Sequence, residues 1–275
     1  MSENTAERAE TVAIFGAGVM GETLLSGLLR AGRDAEHLVI TERRPDRVAE
    51  LTARYDGVRI VDNVEAAELA DVLVLVVKPQ DMGALLDEIA DYVRPGNLVV
   101  SLAAGITTGF LESHLPEGSS VVRVMPNTPA LVDQGMAALS SGRHCTEQHM
   151  SEAMALLQSC GRAVEVPEHY QDAVTAISGS GPAYVFYVVE AMIEAGVVLG
   201  LPRATATELV IQTLFGAATM IRETGQHPTV LREQVTSPGG TTAAALRQLD
   251  DHKVRAAFIT AMEAAAARSA QLSEQ

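Results

Sequence analysis

Residues 12–15, Val-Ala-Ile-Phe, run directly into Gly16-Ala17-Gly18-Val19-Met20-Gly21, and helical spacing follows at once, with Leu24, Leu25, Leu28 and Leu29 on one face. A chain written this way is committed to a strand, a tight turn and a helix laid back against the strand. Gly16 permits the turn, Gly18 lets a pyrophosphate approach the backbone, and Gly21 lets helix and strand lie close. The helix N-terminus then presents free N–H groups and a positive dipole end to phosphates. A bare Gly-x-Gly-x-x-Gly is a weak signal, but here it has the strand before it and the helix after it. The reading is a dinucleotide-binding turn.

The next 140 or so residues repeat the alternation of strand and helix that gives a parallel sheet. Short apolar runs at 37–41, 58–61, 71–77, 97–103, 120–125, 136–140 and 163–166 read as strands, with helices between most of them. The run Asp71 to Val77 is continuously apolar, as in a strand buried on both faces. Several residues at the ends of these runs stand where ligands bind in open α/β sheets. Glu42 could accept a hydrogen bond from a 2′-hydroxyl, as an NAD site requires, whereas Arg43 and Arg44 could clamp a 2′-phosphate or simply form a solvated turn. Lys78, before Pro79, could reach a ribose or phosphate or be an ordinary surface lysine. Ala103, Ala104 and Gly105 leave room for a flat ring, as ordinary tight packing also would. Asn127 and Thr128 offer hydrogen bonds to a carboxamide, although Asn-Thr-Pro suits any turn.

From about residue 168 the texture changes to helices alone, at 170–177, 182–199, 202–223, 230–235, 241–249 and 254–272. The expected division is a dinucleotide-binding domain over 1–167 and a helical domain over 168–275. Some helices are apolar around most of their circumference, as in Val185-Phe-Tyr-Val-Val-Glu-Ala-Met-Ile193. A domain of this size buries few such helices alone, so a subunit interface is expected. Two glycine-rich stretches punctuate it, Ser178-Gly-Ser-Gly-Pro-Ala183 and Thr236-Ser237-Pro238-Gly239-Gly240-Thr241-Thr242. Each is expected to open a helix with backbone N–H groups and small hydroxyls, which grip a carboxylate without a basic residue. Capping explains one such site, and two beside a dinucleotide fold point to a substrate pocket.

Composition narrows the remaining classes. The formal net charge of −15 argues against nucleic acid or an anionic membrane surface as partner. No consecutive apolar run approaches the ~18 residues of a membrane span. The stretch Met1 to Glu10 is polar and reads as a short disordered lead-in with no signal-peptide core, so a cytoplasmic location is expected. The two cysteines, Cys145 and Cys160, suggest neither a disulfide framework nor a redox pair. His144, Cys145 and His149 lie close together, but no second ligand cluster completes a metal site, and none is expected.

Six motifs in order then resemble a known family: Gly16 to Gly21, Val76-Val77-Lys78-Pro79, Ser101-Leu102-Ala103-Ala104-Gly105, Met125-Pro-Asn127-Thr-Pro129, Ser178 to Tyr184, and Val235 to Thr242. Together they resemble the pyrroline-5-carboxylate reductases of proline biosynthesis, over essentially the whole chain from Thr11 to Leu272. The resemblance implies reduction of the cyclic imine of 1-pyrroline-5-carboxylate to L-proline by NAD(P)H. It implies an N-terminal Rossmann-type α/β domain and an all-α dimerisation domain that interlocks in a homodimer, with dimers assembling into a decamer. It carries cofactor contacts onto Gly16 to Gly21, Asn63 (adenosine ribose), Val76 to Pro79 and Leu102 to Ala104. It carries substrate contacts onto Ser237 to Thr242, with Thr242 as the hydroxyl nearest the ring nitrogen. The family often has small hydroxyl residues at the second strand's end. Glu42-Arg43-Arg44 departs from that pattern, so NADPH is expected with NADH left open.

The chemistry suits a site poor in ionisable groups. A protonated imine is already an electrophile, so stacking two rings and holding a carboxylate is most of the task. With cofactor residues in one domain and Ser237 to Thr242 in the other, the expected active site is a cleft between them. The alternatives are a 3-hydroxyacid dehydrogenase or a non-catalytic dinucleotide-binding regulator. The first needs a basic residue on the helix after the second glycine motif, and residues 182–199 contain no Lys, Arg or His. The second would have no use for the intact Ser-Pro-Gly-Gly-Thr-Thr stretch.

Overall fold

Alternation along each strand explains why the sheet forms where it does. In β1 (Val12–Phe15), Val12 and Ile14 enter one apolar cluster and Ala13 and Phe15 the other. In β4 (Val72–Leu75), Val72 and Val74 divide from Leu73 and Leu75 in the same way. A strand that is apolar on both faces needs helices on both, which is the doubly wound arrangement. The computed structural model describes residues 10–273, so the expected lead-in lies outside the described residues except for Glu10.

The sheet also contains β2 (Leu38–Thr41), β3 (Arg59–Val61), β5 (Leu98–Ser101), β6 (Ser120–Met125), β7 (Gly135–Ser141) and β8 (Gly161–Glu165). Its order is β3-β2-β1-β4-β5-β6-β7-β8. Strands β1 to β6 are parallel, β7 runs antiparallel to β6, and β8 is parallel to β7. Helices α1 (Val19–Arg30), α2 (Pro45–Arg54), α3 (Asn63–Leu69), α4 (Met82–Ile89), α5 (Thr108–His114) and α6 (Glu147–Gln158) connect them. Leu24, Leu25 and Leu28 of α1 are buried against the Val12–Ile14 side, as their spacing implies, while Met82, Leu85, Leu86 and Ile89 of α4 join the Phe15 side.

The chain divides into two compact units, one of residues 1–179 with 266–275 and one of residues 180–265. The compact units part at 179/180, and hydrogen bonds tie residues 168–179 into the first of them. In α7 (Gln171–Val174), the buried Gln171 donates its amide to the carbonyl of Ala138 at 3.3 Å and to the hydroxyl of Ser140 at 2.7 Å, both on β7. Ser269, near the end of α12 (Val254–Ser273), donates to Asp172 at 2.7 Å.

Another tie crosses the expected boundary. Arg123 of β6 is 6% exposed and its guanidinium meets Glu168 at 3.3 Å. Glu168 also accepts the backbone N–H of Thr108 at 2.7 Å and its hydroxyl at 2.5 Å, at the first turn of α5. Removing the acid leaves a buried cation without its partner. Glu168→Ala should therefore destabilise the first unit by about 2–4 kcal/mol in urea unfolding, and adding Arg123→Met should recover part of the loss.

The first glycine-rich stretch ends one helical segment and opens the next, with a bend at Ser180 between them. The chain leaves α7 through a π-helical turn at Thr175–Gly179 and begins α8 (Gly181–Val198) straight after Ser180, which makes no side-chain cap. Ser178 bonds back to the Val174 carbonyl at 3.1 Å, so its hydroxyl serves the helix.

The second unit holds α8, α9 (Arg203–Thr224), α10 (Pro228–Gln234), α11 (Thr241–Asp251) and most of α12; among the described residues it contains no strand. No residue of α8 is buried, and Phe186, Tyr187 and Phe215 are 65%, 75% and 65% exposed. Residues 168–198 and 203–224 are long and apolar enough to cross a membrane, with mean hydropathy of 1.3 and 1.2 over their best windows. A search for consecutive apolar runs misses this, because acidic residues such as Glu190, Glu194 and Glu208 interrupt the runs without lowering the average far. Surfaces this apolar call for a cover.

Candidate active site

The turn after β1 is shaped by two glycines and opened by the third. Gly16 has φ of +110°, and a Cβ there would come within 3.1 Å of the Val76 carbonyl oxygen. A Cβ on Gly21 would come within 2.0 Å of the Gly16 carbonyl oxygen. Around a Cβ on Gly18 there is nothing within 4 Å. Gly18 is also the N-cap of α1, with no side-chain cap, and the first helical bond runs from Glu22 N–H to its carbonyl at 2.9 Å. The N–H groups of Val19, Met20 and Gly21 therefore have no intrahelical acceptor. An uncapped helix start behind a glycine that borders open space fits a dinucleotide pyrophosphate.

Just behind this turn, Glu22 accepts hydrogen bonds from Arg47, Arg54 and Tyr55, the last at 2.9 Å. Burial would raise its carboxyl, but these donors outweigh it and hold the group below the usual carboxylate range. This cluster fixes the first turn of α1 to α2.

The expected cofactor residues gather along the carboxyl edge of the parallel strands. Val76 donates to the Phe15 carbonyl and Leu102 to the Leu75 carbonyl, both at 2.9 Å, so the loops after β1, β4 and β5 leave the sheet side by side. The strand order reverses between β1 and β4, which is where open α/β sheets bind ligands. Val76 and Val77 are half-buried, Lys78 and Pro79 are exposed, Leu102 and Ala103 are buried, and Ala104 is exposed. Met20, Leu102 and Asn127 line one tight cleft of about 20 Å³, which is a packing seam with room for about one water rather than a ring pocket. Ala17, 1% exposed, is core.

Asn127 is largely committed to the protein. Its amide donates to the Ser178 carbonyl at 3.1 Å and its oxygen accepts from the Met136 N–H at 2.8 Å. Ser178, expected at the substrate, is thereby brought to the cofactor edge of the first unit. The second amide hydrogen of Asn127 remains its means of reaching a ligand.

At the end of β2, Glu42 does not stand open as a ribose acceptor. Its Oε1 accepts the backbone N–H groups of Arg43 at 2.8 Å and Arg44 at 3.0 Å, and its Oε2 accepts from the Arg44 guanidinium at 3.1 Å. Burial pulls its carboxyl upward, but these bonds prevail and lower it. Arg43 reaches instead to Glu88 on α4 at 3.1 Å, and Asn63, at the start of α3, donates to the same Glu88 oxygen at 2.8 Å. The sequence gives no hint of Glu88, since it lies in no motif and meets Arg43 only through the fold.

In the second unit, Ser237 to Thr242 form one compact feature. The carbonyl of Ser237 accepts the N–H of Gly240 at 3.0 Å, with Pro238 and Gly239 between them. Gly239 has φ of +69°, the left-handed conformation such a turn demands. Gly240 is the N-cap of α11, without a side-chain cap. Threonines within the helices, such as Thr207, Thr213, Thr219 and Thr260, bond back to a carbonyl four residues earlier. Thr241 and Thr242 lie in the first turn, where no helical carbonyl stands four residues behind. Their hydroxyls, like the first-turn N–H groups, have no helical acceptor behind them, an arrangement with the chemistry to hold an anion.

Among the described residues, no group of three His, Cys, Asp or Glu is placed to hold a metal. His149 closes a capping box with Thr146, and Cys145 donates to the Val121 carbonyl at 2.9 Å.

Comparison with known proteins identifies the family. Residues 168–272 match a family described as "Pyrroline-5-carboxylate reductase dimerisation", and residues 11–105 match "NADP oxidoreductase coenzyme F420-dependent". A pyrroline-5-carboxylate reductase of Corynebacterium melassecola is 46% identical over 265 residues, covering 95% of this chain and 98% of its own length. The solved pyrroline-5-carboxylate reductase of Coxiella burnetii superposes with a TM-score of 0.92 at 36% identity, over 96% of this chain and 99% of that one. The Plasmodium falciparum enzyme, solved with NADP bound, superposes with a TM-score of 0.84 at 31% identity, over 96% and 98%. The chain belongs to the pyrroline-5-carboxylate reductase family, NAD(P)H-dependent oxidoreductases that reduce 1-pyrroline-5-carboxylate to L-proline.

Proposed function

We propose that this chain reduces the cyclic imine of 1-pyrroline-5-carboxylate with NADPH, using the turn and helix start at Ser237 to Thr242 to hold the substrate carboxylate. The observation that carries the reading is the set of first-turn N–H groups and unused threonine hydroxyls at α11, in a stretch with no ionisable side chain. The cofactor, when bound, supplies the hydride. The N–H groups of Gly239 and Thr241 bind the carboxylate, whereas the Gly240 N–H, expected to join them, is held by the Ser237 carbonyl, and the Thr242 hydroxyl orients the proton on the ring nitrogen. Gly16 to Gly21 hold the pyrophosphate, Arg43, Arg44 and Asn63 face the adenosine ribose, and Val76 to Pro79, Leu102 to Ala104 and Asn127 line the path to the nicotinamide. Catalysis on this account is positioning, since a protonated imine needs no strong acid. The hydroxyacid dehydrogenase reading lacks its base, because α8 carries no Lys, Arg or His.

The exposed apolar faces of the second unit support a homodimer, and dimers of this kind would assemble further into a decamer in the cytoplasm. The test of the chemistry is isotopic. With NADPH deuterated at nicotinamide C4 on the transferred face, the proline formed should gain one deuterium at its former imine carbon. Proline without label would reject direct hydride transfer.

A further inference from the structure

We propose that Glu88 sets the choice between a 2′-phosphate and a 2′-hydroxyl at the adenosine end of the cofactor site, an inference that rests on Arg43 and Asn63 facing that ribose. One oxygen of Glu88 receives both residues, Arg43 at 3.1 Å and Asn63 at 2.8 Å. Asn63 is 8% exposed, so its amide is held in one place, whereas the Arg43 side chain is 81% exposed and can swing. Arg44 is already paired with Glu42, and Glu42 has spent its oxygens on the loop that follows β2. Glu88 is thus the acid positioned to accept a ribose hydroxyl, the part that position 42 holds in the sequence pattern. A 2′-phosphate entering here brings about two negative charges at neutral pH. It must take Arg43 from Glu88 and then lie beside an unpaired carboxylate, so the same side chain that accommodates a hydroxyl opposes a phosphate.

The experiment is calorimetric binding of 2′,5′-ADP and of 5′-ADP to the full-length protein and to its Glu88→Gln and Arg43→Gln variants. Glutamine keeps the size of the side chain and an acceptor for Asn63 while removing the charge, and residue 88 lies at the surface. Glu88→Gln should tighten 2′,5′-ADP about ten-fold, the scale of one like-charge contact in a hydrated site, and leave 5′-ADP unchanged or weaker. Arg43→Gln should weaken 2′,5′-ADP and spare 5′-ADP. If Arg43→Gln shifts the ratio but Glu88→Gln does not, or Glu88→Gln weakens 2′,5′-ADP, the inference fails while the site reading stands. If neither variant shifts the ratio, or neither nucleotide binds the wild-type protein, the reading of this edge as the ribose site fails and the inference with it.

Discussion

Gly21→Ala is expected to destabilise the first unit by more than about 3 kcal/mol, while Gly18→Ala leaves it folded and unable to hold the cofactor tightly. The two substitutions are the same chemical change three residues apart, and the structure separates them. At Gly21 the new methyl would lie 2.0 Å from the Gly16 carbonyl oxygen, a backbone atom that cannot rotate away. Relief would require moving α1 off β1, whose Val12, Ile14, Leu24 and Leu25 are all within 2% of full burial. Overpacking typically costs ~1–3 kcal/mol where side chains can adjust, and here the obstacle is main chain. At Gly18 the methyl meets nothing within 4 Å and φ is −70°, which alanine adopts freely. The loss at Gly18 falls on the pyrophosphate, and affinity for NADPH should drop about ten-fold or more. Thermal unfolding with and without NADPH reads both effects. A Gly18→Ala protein that binds NADPH like the wild type would remove the pyrophosphate from this turn.

Thr242→Ala is expected to lower kcat about 10²-fold, the lower end of what a group that manages a proton contributes. Its dissociation constant for NADPH should stay within about two-fold, because the cofactor contacts lie in the other unit. Thr242→Ser should restore most of the rate if the hydroxyl has its proposed role, whereas a purely structural threonine would tolerate alanine at the start of a helix. Full turnover by the alanine variant would take Thr242 out of the chemistry.

Period and punctuation made much of the molecule readable in advance. Alternating strands and helices, the Gly-x-Gly-x-x-Gly after a strand, and the proline-glycine turn before α11 are local signals, and each lies where its spacing placed it. The family was legible as a resemblance of six short motifs appearing in order along the chain. What the sequence hid is tertiary. The first unit reaches Gly179 because Gln171 binds the carbonyl of Ala138, and Asp172 holds Ser269 from the far end of the chain. Neither pairing has a periodicity to betray it. Glu42 and its two arginines pose opposite cofactor choices on paper, and only the fold shows that Glu42 closes its own loop while Glu88 takes Arg43. Asn127 likewise reads as a ligand contact, yet much of its hydrogen-bonding capacity joins Ser178 to Met136. The Ser178 to Ala183 stretch reads as the end of one helix and the start of the next, and Gly181 and Pro182 do lie in the first turn of α8, where proline costs no hydrogen bond.

The most direct test of the central claim is the oxidation of NADPH, and separately of NADH, by the purified protein with 1-pyrroline-5-carboxylate as the sole second substrate. The account predicts loss of reduced-nicotinamide absorbance that depends on the imine and yields proline stoichiometrically, faster with NADPH. Tight binding of NADPH with no imine-dependent oxidation of either cofactor would contradict it, and would leave a dinucleotide-binding protein without this chemistry.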